Sequence, residues 1–162
     1  LIMLFKSIMH IAFFTDNMDE MLDFYQNKLG AKLKVLIRYK EYLHRNDRPE
    51  HQKIAMIYPD KIFNVYLEIA PKQFLELFPK SENQGEHIIF NECLGYSHFS
   101  LLVEDIYEVK RYLTDKGVNI DTEITKGPSE TYQMWITDPD NNRIEIMQFT
   151  DRSYQVLGKI SD

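Results

Sequence analysis

The stretch MHIAFFTDNMDEMLDFYQNKLG at residues 9–30 decides the fold, because SHFSLLVEDIYEVKRYLTDKG at residues 97–117 repeats its pattern 88 positions later. Each stretch opens with apolar residues that predict a strand and continues with apolar residues at helical spacing. Gly30 and Gly117 close the two patterns, as glycine commonly does at the left-handed end of a helix. The sequence therefore predicts a duplicated strand–helix unit.

The repeat extends to polar positions. Asn17 and Asp105 are each followed three residues later by a glutamate, a spacing typical of a capping box at the start of a helix. A histidine lies seven residues before each of these caps, His10 in the first copy and His98 in the second. The duplication thus includes residues that carry chemistry as well as residues that form a core.

Three strand-like segments follow each predicted helix. The last two in each copy are joined by a short turn, APKQ at residues 70–73 and DPDNN at residues 138–142. The pattern predicts an α+β fold of two tandem βαβββ modules. The segments are residues 32–39, 63–70 and 74–79 in the first copy and residues 118–125, 132–137 and 143–149 in the second.

The domain boundaries follow from this pattern. We expect one domain over residues 1–162, with module 1 at residues 6–80 and module 2 at residues 94–150. An insertion at residues 40–62 distinguishes module 1, and its Pro49 predicts a short helix over residues 50–58. The apolar N-terminal stretch of 14 residues predicts a buried strand and not a membrane span or signal, and residues from Asp151 onward predict a surface tail.

Composition excludes several classes of function. A net charge of −6 and a pI of about 5.4 leave no broad basic surface for nucleic acid, and we expect no membrane partner either. The single cysteine, Cys93, cannot form an intrachain disulfide, which indicates a reducing, cytoplasmic location. We expect Cys93 itself to be a small buried residue. Any metal site must then use histidine and carboxylate ligands.

Strand alternation brings four ionisable residues to the face of the sheets opposite the helices: His10, Glu76, His98 and Glu145. A carboxylate between branched apolar neighbours costs several kcal/mol to desolvate, about 2–7 kcal/mol for a polar group, unless a cation compensates it. A divalent ion held by two imidazoles and two carboxylates would be neutral. Such ligands suit nickel, cobalt and zinc, with manganese and iron as further candidates, better than calcium. Each histidine alone fits a structural role, but the recurrence favours ligation.

Further candidates line the same strand faces. Asn64 and Tyr66 in the first copy match Gln133 and Trp135 in the second, and they either contact a small-molecule substrate or fill the barrel. Arg38 begins a run of cations in the insertion that would either bind an acidic substrate group or form a solvated face. The remaining histidines, His44, His51 and His87, are expected at the surface.

The sequence resembles the vicinal oxygen chelate superfamily, which includes glyoxalase I, fosfomycin-resistance proteins and extradiol dioxygenases. The likeness is carried by MHIAFFTDNMDEMLDFYQNKLGAKL, QFLELF, YSHFSLLVEDI and DPDNNRIEIMQ, although the family usually has glycine where Asn141 or Asn142 stands. The resemblance implies an open, curled, mixed β-sheet barrel, a homodimer, and a metal held by the four residues named above. Glu68 is a rival for Glu76, which is preferred because it lies on the strand equivalent to that of Glu145.

The second carboxylate favours the glyoxalase I-like branch. The resemblance then implies a lyase or isomerase in which the metal holds two neighbouring substrate oxygens and a carboxylate, Glu145 or Glu76, moves a proton between adjacent carbons. Thiol transfer of the fosfomycin type and ring-cleaving dioxygenation are alternatives, which typically lack the ligand at position 76. A non-catalytic, bleomycin-sequestering type of protein is a third reading and needs no metal.

Overall fold

A computed structural model describes residues 3–161, and these residues fall into two compact units that divide between Gly85 and Glu86. Each unit holds one open, mixed, four-stranded sheet with a helix after its first strand. In the first unit the strands are β1 (His10–Thr15), β2 (Lys32–Arg38), β3 (Ile62–Ala70) and β4 (Gln73–Pro79). Its helices are α1 (Met18–Asp23), which continues as a π-helical turn at Phe24–Lys28, and α2 (Pro49–Ile57), preceded by a 3-10 turn at Tyr39–Tyr42.

The second unit repeats this order without the insertion. Its strands are β5 (Phe99–Leu102), β6 (Thr125–Lys126), β7 (Tyr132–Thr137) and β8 (Arg143–Gln148), and its helices are α3 (Ile106–Asp115) and α4 (Tyr154–Leu157). The strand orders are β1-β4-β3-β2 and β5-β8-β7-β6, so the first and last strands of each unit are parallel neighbours. The predicted α+β fold of two tandem βαβββ modules is confirmed. The single-domain organisation over residues 1–162 stays a prediction.

The predicted inward-facing residues form the core of each unit. In the first unit Met21 of α1 and Leu75 and Leu77 of β4 are almost fully buried. In the second unit Ile106 of α3 and Ile144 of β8 are equally buried. Each such side chain contributes about 1.5–3 kcal/mol when it leaves water. This packing orients the alternate residues of β4 and β8 toward the opposite face.

The turns that join these strands use the residues that their conformations need. Gly30 and Gly117 follow the two helices with φ angles of 77° and 74°, as predicted. In the DPDNN turn Asn141 adopts a φ of 64°, which asparagine tolerates. The Asp138 carboxylate accepts hydrogen bonds from the backbone N–H groups of Asp140 and Asn142, so it fixes the entry into β8.

The predicted buried N-terminal strand is wrong for residues 3–9. Met3, Leu4 and Phe5 are each more than 80 % exposed, and β1 begins only at His10. The parallel ladder with β4 pairs His10 with Phe74, and β4 itself begins at Gln73 after a tight turn. Strand β4 therefore has no residue left with which the chain upstream of Met9 could pair. Leu1 and Ile2 lie outside the described residues.

Local side-chain hydrogen bonds account for two further corrections. Asn17 does not cap α1, because its side chain donates to the Glu20 carboxylate instead of accepting a backbone N–H, whereas Asp105 caps α3 as predicted. The predicted strand at residues 118–125 is reduced to Thr125–Lys126. Upstream of it the Thr122 hydroxyl accepts the backbone N–H of Trp135, so a side chain replaces the ladder.

Three surface assignments also change. Cys93 is exposed, not buried, because it lies in the irregular segment that precedes β5. His51 is only partly exposed, because its ring stacks on Tyr42 with centroids 4.9 Å apart in the aromatic cluster of the insertion. The start of the C-terminal tail is anchored, since Ser153 is fully buried and its hydroxyl accepts hydrogen bonds from Thr131 and from the backbone N–H of Thr150.

Candidate metal centre

The first unit brings His10 and Glu76 together. His10 Nε2 lies 3.3 Å from Glu76 Oε2, and the glutamate residue is only 6 % exposed. The other ring nitrogen, Nδ1, lies 2.9 Å from the Met9 sulfur. The imidazole therefore presents Nε2 to the carboxylate, on the face of β4 that points away from Leu75 and Leu77.

Two neighbours from β3 hold the Glu76 carboxylate. Asn64 Nδ2 donates to Glu76 Oε1 across 2.7 Å, while the Asn64 Oδ1 atom is buried without a hydrogen-bond partner among residues 3–161. Burial, followed by the hydrogen bond to Glu76 and its negative charge, raises the pKa of Tyr66 to about 12. The phenol therefore stays protonated at neutral pH and acts toward Glu76 as a hydrogen-bond donor.

The second unit forms the equivalent pair from His98 and Glu145. His98 Nε2 lies 3.4 Å from Glu145 Oε2, and its Nδ1 lies 2.9 Å from the Ser97 hydroxyl. Here the supporting donor is different: the Ser100 hydroxyl donates to Glu145 Oε2 across 2.7 Å. Ser100 lies on β5, the parallel neighbour of the strand that carries Glu145, whereas Asn64 lies on β3, the antiparallel neighbour of the strand that carries Glu76. The two carboxylates are therefore alike in position but not in surroundings.

Strand register explains why both pairs form. In the first unit Ala12 of β1 is the partner of Glu76, and in the second Ser100 of β5 is the partner of Glu145. Each histidine lies two residues before that partner, on the same face of its strand. The two units thus place an imidazole and a carboxylate in the same geometry by the same backbone arrangement.

Aromatic residues flank each pair in the predicted way. Tyr66 is the cross-strand partner of Glu76, and Trp135 is the partner of Glu145. The His10 and Tyr66 rings meet edge to face with centroids 5.7 Å apart, and the His98 and Trp135 rings do so at 4.7 Å. These contacts fix the planes of the two imidazoles.

Comparison with known proteins identifies the superfamily of this chain. Residues 7–146 match the family model of the Glyoxalase/Bleomycin resistance protein/Dioxygenase superfamily. The chain belongs to this superfamily. It is 28 % identical over 146 residues to a lactoylglutathione lyase of Neisseria meningitidis serogroup A, covering 87 % of this chain and 89 % of the relative.

Solved structures of the superfamily show the same fold. The glyoxalase family protein from Enterococcus faecalis has a TM-score of 0.66 at 25 % identity and covers 90 % of this chain and 99 % of its own. Lactoylglutathione lyase from Agrobacterium tumefaciens has a TM-score of 0.59 at 19 % identity and covers 90 % of this chain and 96 % of its own. No helix within residues 3–161 is long and apolar enough to cross a membrane.

The donor set fits the divalent metal that the superfamily resemblance implies. Each unit offers one imidazole Nε2 and one carboxylate oxygen within 3.4 Å of each other, and nitrogen with oxygen ligands suit a first-row transition metal. The carboxylates are supported by Asn64, Tyr66 and Ser100, as ligating carboxylates commonly are. Each buried carboxylate faces an imidazole nitrogen and not a lysine or arginine. A bound cation would therefore supply the charge that compensates it.

The other predicted residues occupy different surroundings. Arg38 ends β2 and donates to the backbone oxygen of Asp60 across 2.6 Å, so it ties β2 to the insertion. Gln133 lies on β7 against Gly127, where a Cβ atom would approach the amide oxygen to 3.0 Å. Glu68, the rival ligand, lies 3.8 Å from the Lys34 ammonium. The substrate contacts of Arg38 and Gln133 and the choice of Glu76 over Glu68 as a ligand stay predictions.

Sequence reasoning missed two residues beside the second pair. Ser100 is the first, and Arg143 is the second; the Arg143 guanidinium lies between the rings of Phe90 and Trp135. Strand alternation could have found Arg143, because it lies two residues before Glu145 in the motif DPDNNRIEIMQ. No sequence signal indicated that Phe90, from an irregular segment, covers it.

Proposed function

We propose that this protein is a metal-dependent lyase or isomerase of the glyoxalase I-like type, in which His10, Glu76, His98 and Glu145 hold one divalent cation. The observation that carries the proposal is the repeated pair, an imidazole Nε2 within 3.4 Å of a buried carboxylate in each unit. A structural histidine needs no such duplication. Two neutral imidazoles and two carboxylates balance the charge of one divalent ion.

The bound metal would supply Lewis-acid stabilisation for two neighbouring oxygens of the substrate. Nickel, cobalt and zinc suit the mixed nitrogen and oxygen donors, with manganese and iron next. The similarity to lactoylglutathione lyases supports a substrate that carries two oxygens on adjacent carbons.

The chain's own residues would then move a proton and shape the cavity. Glu145 or Glu76 takes the proton from one carbon and returns it to the next, as a general base and then a general acid. Asn64 and Ser100 fix the rotamers of these carboxylates through hydrogen bonds of 2.7 Å. Trp135 would cover an apolar or planar part of the substrate on the side of the second pair.

Metal analysis tests the proposal. Protein purified without chelator should hold stoichiometric nickel, cobalt or zinc, and both Glu76→Gln and Glu145→Gln should lose it. Glu68→Gln is the matched control. It removes a carboxylate from the same sheet, and that carboxylate pairs with Lys34 and not with a histidine. The loaded wild-type enzyme should form lactoylglutathione from methylglyoxal and glutathione, or an analogous product from another thiol.

Three outcomes would contradict the proposal. A wild-type protein without stoichiometric metal would indicate a non-catalytic binding protein of the bleomycin-resistance type. Unchanged metal affinity in Glu76→Gln would indicate a three-ligand site and so favour thiol transfer or dioxygenation. A fully metal-loaded protein that transfers no proton in methylglyoxal–thiol adducts or other compounds with vicinal oxygens would contradict the lyase or isomerase activity.

We also propose that the protein is a homodimer in the cytoplasm that binds a small molecule and neither nucleic acid nor membrane. The exposed apolar side chains of Met3, Leu4 and Phe5 support association, since burying them removes apolar surface from water. Light scattering should give about twice the chain mass of 19.3 kDa. A particle of the single-chain mass at micromolar concentration would contradict the dimer.

A further inference from the structure

The guanidinium of Arg143 on β8 lies over two aromatic rings. Its Cζ atom lies 4.0 Å from the centre of the Phe90 ring and 4.1 Å from the centre of the Trp135 ring. Both distances are within the range of strong cation–π contact. The stacking fixes the plane of the guanidinium.

The register of the sheet places this cation beside the second histidine–glutamate pair. Trp135 is the cross-strand partner of Glu145, and Arg143 is the partner of Thr137. Cross-strand partners and residues two apart share a face, so Arg143, Trp135 and Glu145 lie on one face. The centres of the His98 and Trp135 rings lie 4.7 Å apart. His98, Trp135 and Arg143 therefore form a continuous row of contacting side chains.

The hydrogen-bond donors of this guanidinium find no partner in the part of the chain that the structure describes. Within residues 3–161 the contacts of Arg143 are the two aromatic rings, with no ion pair or side-chain hydrogen bond. Arginine carries five N–H donors in the plane of the group, and stacking leaves that edge open. A partly buried cation without an anionic partner is unfavourable, and a planar carboxylate would satisfy it through two parallel hydrogen bonds.

The first unit shows that the fold does not need a cation at this position. Its equivalent residue, two before Glu76 on β4, is Phe74, whose ring packs edge-on against Tyr66 at 6.1 Å. An apolar ring therefore fills the same place beside the same type of pair. Phenylalanine is sufficient for packing at this position in the first copy. The charge found in the second copy alone therefore indicates a role in binding.

We propose that Arg143 binds a carboxylate group of the substrate and so sets the specificity of the site for anionic compounds. Phe90 and Trp135 hold the guanidinium beside the neighbouring His98–Glu145 pair. The position of this subsite next to the reacting atoms rests on the proposed function, whereas its affinity for an anion does not. The planar edge of the guanidinium matches a planar carboxylate through two parallel hydrogen bonds.

The single tryptophan makes the subsite directly measurable. Trp135 gives one indole N–H resonance, and its ring touches Arg143. Metal-free protein is titrated with lactate and, separately, with lactamide, its neutral analogue, at constant ionic strength. We expect a saturable shift of the indole resonance with lactate and none with lactamide.

Three variants separate the subsite from general charge effects. Arg143→Met should weaken lactate binding by about tenfold or more, the loss typical of a hydrogen-bonded ion pair. Arg143→Lys keeps the charge and loses the planar edge, so it should also bind lactate several-fold more weakly and serves if the methionine variant is unstable. Arg111→Met, on the exposed surface of α3, removes the same charge and should bind lactate like the wild type.

Two results would overturn the inference. The first is a lactate titration that Arg143→Met and Arg143→Lys leave unchanged, and the second is a shift caused by inorganic phosphate but not by lactate. A metal titration on the same preparations keeps the two proposals apart. Loss of metal binding with intact discrimination of lactate would contradict the proposed function alone, and the converse would contradict the carboxylate subsite alone.

Discussion

Replacing Glu76 by glutamine should stabilise the metal-free protein and destabilise the metal-bound protein relative to the wild type. Without metal, the carboxylate is 6 % exposed, lies between Leu75 and Leu77, and faces an imidazole across 3.3 Å. A neutral imidazole offers the carboxylate no compensating charge. Glutamine keeps the shape and still accepts the hydrogen bond from Asn64, so the metal-free variant should be more stable by about 1–3 kcal/mol.

The magnitude with metal follows from linkage. A ligand present at a thousand times its dissociation constant stabilises the folded protein by about 4 kcal/mol. Each tenfold loss of affinity in the variant removes about 1.4 kcal/mol of that gain. For a chain of this length 1 kcal/mol corresponds to about 2–4 °C in melting temperature. The variant should therefore melt several degrees above the wild type without metal and below it with metal.

Thermal unfolding with chelator, and then with excess nickel or zinc, measures this reversal. Glu68→Gln is the control, because its carboxylate is more exposed and lies 3.8 Å from the Lys34 ammonium. Losing that surface pair should cost less than about 1 kcal/mol in both conditions. A metal-free Glu76→Gln protein that is less stable than the wild type would refute the reasoning, since it would show that the charge of Glu76 stabilises the fold.

Three further predictions concern other parts of the chain. Ser100→Ala removes the donor to Glu145 and should weaken metal binding by about 10–100-fold in a calorimetric titration with little change in folding. Ser153→Ala removes a buried hydroxyl and should lower the unfolding free energy by about 1–3 kcal/mol in urea, whereas an unanchored tail would show no change. The hydrogen bond from Arg45 lowers the pKa of Asp47 to about 2, so stability from this pair is present above the ordinary value of 3.8 and lost as pH falls through 2. Carboxyl NMR should show that value rising toward 3.8 in Arg45→Gln, and an unchanged value would contradict the pairing.

The sequence was most informative where a residue's neighbours along the chain determine its direction. Alternation in β4 and β8 places Glu76 and Glu145 opposite the buried leucines and isoleucines, and the repeat locates His10 and His98 by their distance from the helix caps. The structure brings each histidine to its glutamate. Local periodicity was sufficient because both members of each pair lie on adjacent parallel strands.

Features that depend on distant side chains were not predictable in this way. Thr122 replaces a strand ladder with a side-chain hydrogen bond to the backbone of Trp135, and apolar patterning cannot reveal such a substitution. Ser153 is buried because Thr131, over twenty residues earlier, provides a hydroxyl partner. Phe90 stacks on Arg143 from a segment without periodic structure. In each case the deciding contact joins residues that no spacing rule relates.

The different donors to the two glutamates have a consequence for how the two halves of the chain can diverge. One acid is steadied by an amide from β3, and the other by a hydroxyl from β5. A substitution at Asn64 therefore removes the support of one acid and leaves the other intact, and a substitution at Ser100 does the reverse. Divergence at two small side chains thus makes each half of a duplicated scaffold separately adjustable.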